Sequence, residues 1–387
     1  MTTVTARIAQ GVRSISAADW DACAGADNPF VSHAFLAVLE ASGSVGGRSG
    51  WQPLPIVVDD ADGRPAAIAP AYGKSHSQGE YVFDHGWADA WERAGGDYYP
   101  KLQIASPFSP VPGPRLLLRD PTHAPALIGA VQAVVDQNDL SSAHATFLDE
   151  AQVPLFEAAG WLIRQGVQFH WTNRGYRNFD GFLDDLASRK RKAIRKERAA
   201  AVEGLTIRHL SGDAIRAEHW DAFWTFYQDT GSRKWGTPYL TRATFPLLGE
   251  TMGDRVLLIL AERDGVPIAG ALNLIGDVAL YGSYWGATEE VPFLHFELCY
   301  YQAIEAAIAR GLSRVEAGAQ GEHKLARGYV PVPTWSAHYI PDPNFRRAIA
   351  DFLTRERRAV EDEQNYLTEF TPFRKRPDDA APPSASS

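Results

Sequence analysis

Nine consecutive residues concentrate the reactive chemistry of this chain: Glu316-Ala317-Gly318-Ala319-Gln320-Gly321-Glu322-His323-Lys324. Two carboxylates, an amide, an imidazole and an amine stand among small residues that leave room rather than fill it. The run follows a strand-like stretch at 314–317, and strand alternation puts Glu316, Gly318 and Gln320 on one face. Such a set suits attack of an amine on an activated carbonyl. The amine is protonated near neutral pH and needs a base, which Glu316, Glu322 or His323 can supply directly or through water. Lys324, or backbone N–H groups near Gly282 to Gly286, can donate to the developing oxyanion. The competing reading is a polar loop held by its own hydrogen bonds.

Further segments carry candidate binding groups. Pro292-Phe293-Leu294-His295-Phe296-Glu297 opens an amphipathic helix, whose free N–H groups and dipole favour an anion. His295 there is a second candidate base, and Glu297 a candidate substrate contact. Tyr281-Gly282-Ser283-Tyr284-Trp285-Gly286 reads as a strand whose glycines mark a bulge or a close backbone approach. Tyr284 and Trp285 either face a ligand or fill the core. Arg233-Lys234-Trp235-Gly236 sets two cations beside an indole that can stack a flat group. Seven of the eleven residues Ser188–Arg198 are basic. Arg189, Lys190 and Arg191 are therefore candidate phosphate contacts, carrying affinity without sequence specificity, unless this is simply a solvated helix face.

The elements that must position these groups occur twice. Ile56-Val57-Val58, Asp62-Gly63 and Ala66–Ala69 read as strand, turn, strand, and so do Leu257–Leu260, Asp264-Gly265 and Ile268–Ala271. Asp-Gly supplies the positive φ angles of a tight hairpin. Tyr81-Val82-Phe83 before His85-Gly86-Trp87 and Leu280–Tyr284 before Trp285-Gly286 form a second strand-like pair, again about 200 residues apart, which favours an internal duplication. In the first copy, strands are expected at 101–105, 143–148 and 161–171, with helices at 124–135 and 153–159. In the second, Leu298, Tyr301, Ile304 and Ile308 place a helix over 296–310, stopped by Gly311, and 180–203 reads as one long helix. This pattern predicts α/β halves with mixed sheets: residues 1–175, residues 176–377, and a disordered Asp/Ala/Pro/Ser tail at 378–387.

With 387 residues and 45% hydrophobic content the chain can build a large core without staples. Cys23 and Cys299 provide neither a disulfide framework nor a metal-ligand spacing. No apolar run approaches the ~18 residues of a membrane span, and the N-terminus lacks the pattern of a secretory signal. A cytoplasmic protein without integral membrane association is expected. The net charge of -9 argues against a general polyanion binder.

At Phe169–Tyr176, Ser188–Lys192, Arg233–Gly236, Leu294–Glu297 and Glu316–Lys324 the sequence resembles the FemAB-like N-acyltransferases of the GNAT superfamily, and Ser106-Pro107-Phe108-Ser109-Pro110 looks like another motif of that group. The resemblance implies two tandem GNAT-like domains and N-acyl transfer with no tightly bound cofactor or metal. The donor it implies is acyl-CoA or, as in the Fem peptidoglycan aminoacyltransferases, aminoacyl-tRNA, which makes tRNA a candidate partner. The acceptor would be the amine of a small molecule or a peptidoglycan precursor. Where GNAT enzymes carry their pyrophosphate loop, this chain has Gly286-Ala287-Thr288-Glu289-Glu290, whose acidic pair would repel a pyrophosphate. Other classes stay open: a non-catalytic GNAT-fold module that binds peptidoglycan precursor or a nucleotide ligand, and an RNA-binding protein using the basic helix.

Overall fold

The computed structural model of this chain describes residues 5–234, 238–318 and 321–374, with the backbone alone described for residues 232–234 and 322. Its strands are β1 (Thr5–Ile8), β2 (Trp51–Pro53), β3 (Ile56–Asp59), β4 (Pro65–Ala69), β5 (Ala71–Lys74), β6 (Lys101–Ile104), β7 (Leu117–Leu118), β8 (Ala143–Leu148), β9 (Leu162–Thr172), β10 (Thr206–Leu210), β11 (Val256–Arg263), β12 (Val266–Ile275), β13 (Ala279–Ala287), β14 (Arg314–Glu316) and β15 (Val330–Tyr339). A small sheet runs β1-β3-β4-β7, and a large one runs β10-β11-β12-β13-β14-β9-β15-β8-β6-β5-β2. The result is an α/β fold with mixed sheets. Each half places a parallel strand pair around a helical crossover: β6 with β8, and β13 with β14. Between them, β9 pairs with β14 and β15, and β15 pairs with β9 and β8. A strand from early in the chain thus sits among late ones, and a late strand among early ones.

The hairpins differ in detail. Asp264 (φ 51°) and Gly265 (φ 78°) both take the left-handed region that joins β11 to β12 tightly. Between β3 and β4 only Gly63 does (φ 76°), and the Asp60 carboxylate holds a wider loop by accepting from the Asp62 and Arg64 N–H groups at 2.9 Å. The expected strand at Tyr81–Phe83 is a loop instead, with Tyr81 at φ 58°. Its flanking carboxylates, Glu80 and Asp84, are drawn inward onto Lys101, and that buried pairing overrides the apolar pattern. The first-half counterpart of β13 is therefore β6. The helix expected over 180–203 is two, Phe179–Asp185 and Ser188–Ala201, because Leu186 turns extended to bridge Phe373. The helix expected from 296 starts at Leu294 and makes a π turn over Glu297–Tyr301 before Gln302–Ala309.

One core cluster joins the halves. Trp20, Phe30 and Phe35 from the N-terminal helices pack with Phe223, Phe245 and Tyr281. Each such side chain contributes roughly 1.5–3 kcal/mol on burial. This shared core holds the two parallel strand pairs in fixed relation.

Candidate functional site

Past Tyr281 the strands β13 and β14 diverge, since their pairing covers only Ala279–Tyr281 with Arg314–Glu316. A cavity of about 730 Å³ opens there, lined by Gly282, Ser283, Tyr284, Trp285, Gly318 and His295. Its floor comes from β9 and β15, and its opposite wall from Phe108–Val111 and the Ser77–Phe83 loop. On β13 the register shifts so that Leu272 faces Tyr284 while Asn273 faces Gly282. Ser283 is the extra residue of this bulge, and its buried Oγ has no hydrogen-bond partner among the described residues. Gly286 lets the helix Ala217–Lys234 lie directly on the strand: a Cβ there would sit 2.1 Å from the Phe226 carbonyl oxygen. The halves meet across the cavity, where the Tyr284 hydroxyl donates to the Phe108 carbonyl at 3.0 Å. The Phe108 ring stacks on Tyr239 with centroids 5.2 Å apart.

Polar groups support this lining from behind. Glu316 ends β14 almost fully buried, with Oε1 accepting from Arg314 Nε at 2.8 Å. Its Oε2 makes no hydrogen bond among the described residues and lies 3.9 Å from His170 Nε2. That nitrogen is 3.1 Å from Gln168 Oε1, and the Gln168 amide donates to the Pro110 carbonyl at 2.6 Å. The chain Glu316–His170–Gln168–Pro110 thus runs from one strand split to the other, and Gln168 and Pro110 line the cavity. Burial pushes the Glu316 carboxyl up to about 7 and holds His170 down at about 3, a neutral imidazole near pH 7. Lys324 is buried, which lowers its amine to about 8, and it donates to the Gly318 carbonyl at 2.9 Å.

The first-half wall is fixed differently. Lys101 Nζ, fully buried, donates to Ser77 Oγ at 2.8 Å, Glu80 Oε2 at 2.7 Å and Asp84 Oδ2. Lys74 Nζ, also buried, donates to the Gln78 carbonyl at 3.1 Å and lies over the Trp51 ring.

Residues 11–375 match the FemAB-like family, described as peptidoglycan biosynthesis/recognition. The chain belongs to the FemAB-like family. FemX shares its fold, with a TM-score of 0.55 and 12% identity over 87% of this chain and 98% of FemX. L-PGS from Bacillus licheniformis does too, with a TM-score of 0.51 and 11% identity over 85% and 98%. So does a conserved protein of unknown function from Bacteroides thetaiotaomicron, with a TM-score of 0.53 and 12% identity over 87% and 100%. No curated protein matches the chain. Among the described residues no helix is long and apolar enough to cross a membrane, and no cluster of metal-ligating side chains occurs.

In this FemAB-like chain the structure brings together only part of the expected site. Tyr284, Trp285 and His295 line the cavity, with His295 against the Trp285 ring at 5.2 Å. Glu316 and Lys324 stand behind it. His323 is exposed, bonded through Nε2 to the Tyr300 hydroxyl at 2.8 Å, its ring centroid 6.4 Å from that of His295. Glu297, expected at the substrate, is instead fully buried in the π turn: Arg198 grips its carboxylate and Gln302 donates to it at 2.7 Å. Arg189, Lys190 and Arg191 do not line the cavity; they sit at the outer start of the basic helix, where Arg191 pairs with Asp184 at 3.0 Å. The side chains of Arg233, Lys234 and Glu322, and all of Trp235 and Gln320, lie outside the described residues. A smaller cavity of about 490 Å³ shares Thr230, Trp285 and His295 with the first and is walled by Glu289 and Glu290. The sequence patterns assign no role to Gln168, His170, Phe108 or Tyr239. His170 and Phe108 fall in motifs that carry the family resemblance, which is the available signal; Gln168 lies one residue before such a motif.

Proposed function

We propose that the chain is an N-acyltransferase that joins an acyl or aminoacyl group to an amine, with a peptidoglycan precursor as acceptor. The observation that carries this reading is the split of β13 from β14, which opens a bulged, glycine-flanked strand edge into a cavity of about 730 Å³. The acyl carbonyl would lie along Gly282–Trp285, where backbone N–H groups of the unpaired edge donate to the developing oxyanion. The acceptor nitrogen attacks the carbonyl carbon, the bond to the donor's sulfur or ribose oxygen breaks, and that leaving group takes a proton. His295 is the candidate base, since it lines the cavity beside Trp285. Glu316 and His170 position the floor through Gln168, and Lys324 holds the Gly318 carbonyl in place. Family membership supports the precursor as acceptor; the donor is acyl-CoA or aminoacyl-tRNA.

The test is product formation by mass spectrometry from purified precursor with acyl-CoA or aminoacyl-tRNA, for native protein and His295→Ala. The expected outcome is an acylated precursor with one donor class and a rate lower by about 10²–10⁴ in a folded variant. Native turnover undiminished in His295→Ala removes that residue as base. A second reading, a binding module without catalysis, draws on Glu289 and Glu290 beside the smaller cavity, where a donor pyrophosphate would be repelled. It predicts precursor binding by calorimetry with no product from either donor.

A further inference from the structure

The basic helix Ser188–Ala201 turns its cations away from the cavity. Its inner face is Ile194 and Ala201, both buried, with Glu197 and Arg198 tied to Arg327 and Glu297. On the opposite face Arg189, Lys192 and Lys196 are exposed, with Lys190 beside them, and none has a carboxylate within 4.0 Å among the described residues. Like charges on one helix face repel, and in a chain of net charge -9 this concentration is local.

The end of the helix Pro343–Glu369 lies at the start of the basic helix. The Ala187 N–H donates to the Pro372 carbonyl at 2.9 Å, Arg374 N–H to the Asp185 carbonyl at 3.0 Å, and Leu186 bridges Phe373. Just before this junction Tyr366 and Phe370 are 62% and 54% exposed and pack ring against ring at 4.7 Å. Arg374 is exposed, and Lys375 and Arg376 follow it in sequence. Two large apolar rings therefore stand out near the first turn of the basic helix, on a helix end that also exposes Asp362, Glu363 and Glu369.

We propose that this surface docks on a bilayer containing anionic phospholipid. Exposed aromatics enter the headgroup region, where an amphipathic ring is favoured. Adjacent Lys and Arg are attracted by the negative surface potential over about a Debye length. The rings pack on each other at 51°, so they form a blunt apolar knob and not the open parallel faces that stack successive nucleobases. That favours a lipid surface over RNA as the polyanion.

The experiment is co-sedimentation of the full chain with phosphatidylcholine vesicles, with and without phosphatidylglycerol, alongside a gel shift with bulk tRNA. The expected result is binding only to the phosphatidylglycerol vesicles, falling with added salt. Arg189→Gln with Lys192→Gln should lower partitioning by about tenfold or more. Tyr366→Ser with Phe370→Ser, on the other element, should lower it independently; circular dichroism checks that each variant folds. Equal binding to both vesicle types, no binding to either, or partitioning unchanged in both folded variants overturns the proposal. A tRNA shift that depends on the same cations without vesicle binding overturns it in favour of RNA.

Discussion

Behind the first parallel pair, β6 with β8, Lys74 and Lys101 are fully buried with Glu80 and Asp84, beside His144 and His338. Behind the second, β13 with β14, the strands are apolar at Ala279 and Leu280, and the buried Glu316 keeps an oxygen without a hydrogen bond among the described residues. The same topology thus carries a charge network that fixes a wall in one half and an opening in the other. Buried charges are costly unless paired and hydrogen-bonded. Lys101 meets that condition by holding three residues of the Ser77–Asp84 loop, which lines the cavity from the first-half side. The contrast assigns wall-building to the first half and the open strand edge to the second.

Removing the centre of the network should break the contrast most severely. Lys101→Met leaves Glu80 and Asp84 without their shared cation, and a loss of about 3–5 kcal/mol in urea unfolding is expected; a loss under about 1 kcal/mol would show that the wall does not depend on it. On the opposite side, Gly286→Ala drives a methyl into the Phe226 carbonyl. It should cost about 1–3 kcal/mol, read as a lowered melting temperature, and an unchanged one would deny the close helix approach.

Acid–base behaviour sharpens the comparison further. The Glu316 carboxyl is raised from 4.5 to about 7, chiefly by burial, so between those values the folded state binds more protons than the unfolded one. Its contribution is full below about pH 4.5 and is lost as pH rises through 7. Glu316→Gln should flatten the fall of stability across that window in pH-dependent denaturation, and an unaltered slope would refute the shift. Lys74, lowered from 10.5 to about 7 by burial, acts the other way: stability rises between those values, and Lys74→Met should remove the rise. The smallest effect belongs to the tie between the halves. Tyr284→Phe should cost about 0.5–1.5 kcal/mol, with a larger change in ligand affinity than in stability if the tie shapes the cavity.

Local patterns made much of this architecture legible. The apolar runs at 56–58, 257–260 and 143–148 are strands, and the three-and-four spacing at 298–308 is a helix with an inserted π turn. The strand at 81–83 was misread because its apolar pattern says nothing of Glu80 and Asp84 finding Lys101 across seventeen or more positions. For the same reason Glu297 read as a surface ligand: its partner Arg198 lies 99 residues away. Tyr284, Trp285 and His295, which line the cavity, sit on elements with clear periodicity. Gln168 and His170 were not assigned, since their meaning depends on β9 lying beside β14, a pairing that no local pattern encodes.

That exchange of strands also bears on synthesis. A ribosome releasing this chain delivers β8 and β9 long before β15, which must slip between them and pairs with both. Until residue 339 has emerged, two long strand edges stand unpaired, the kind of edge that recruits foreign strands. Native-like closure of the early half must therefore wait for residues 330–339. A nascent chain stalled before residue 330 should be sensitive to protease and prone to aggregate, while one stalled after the helix ending at Glu369 should not.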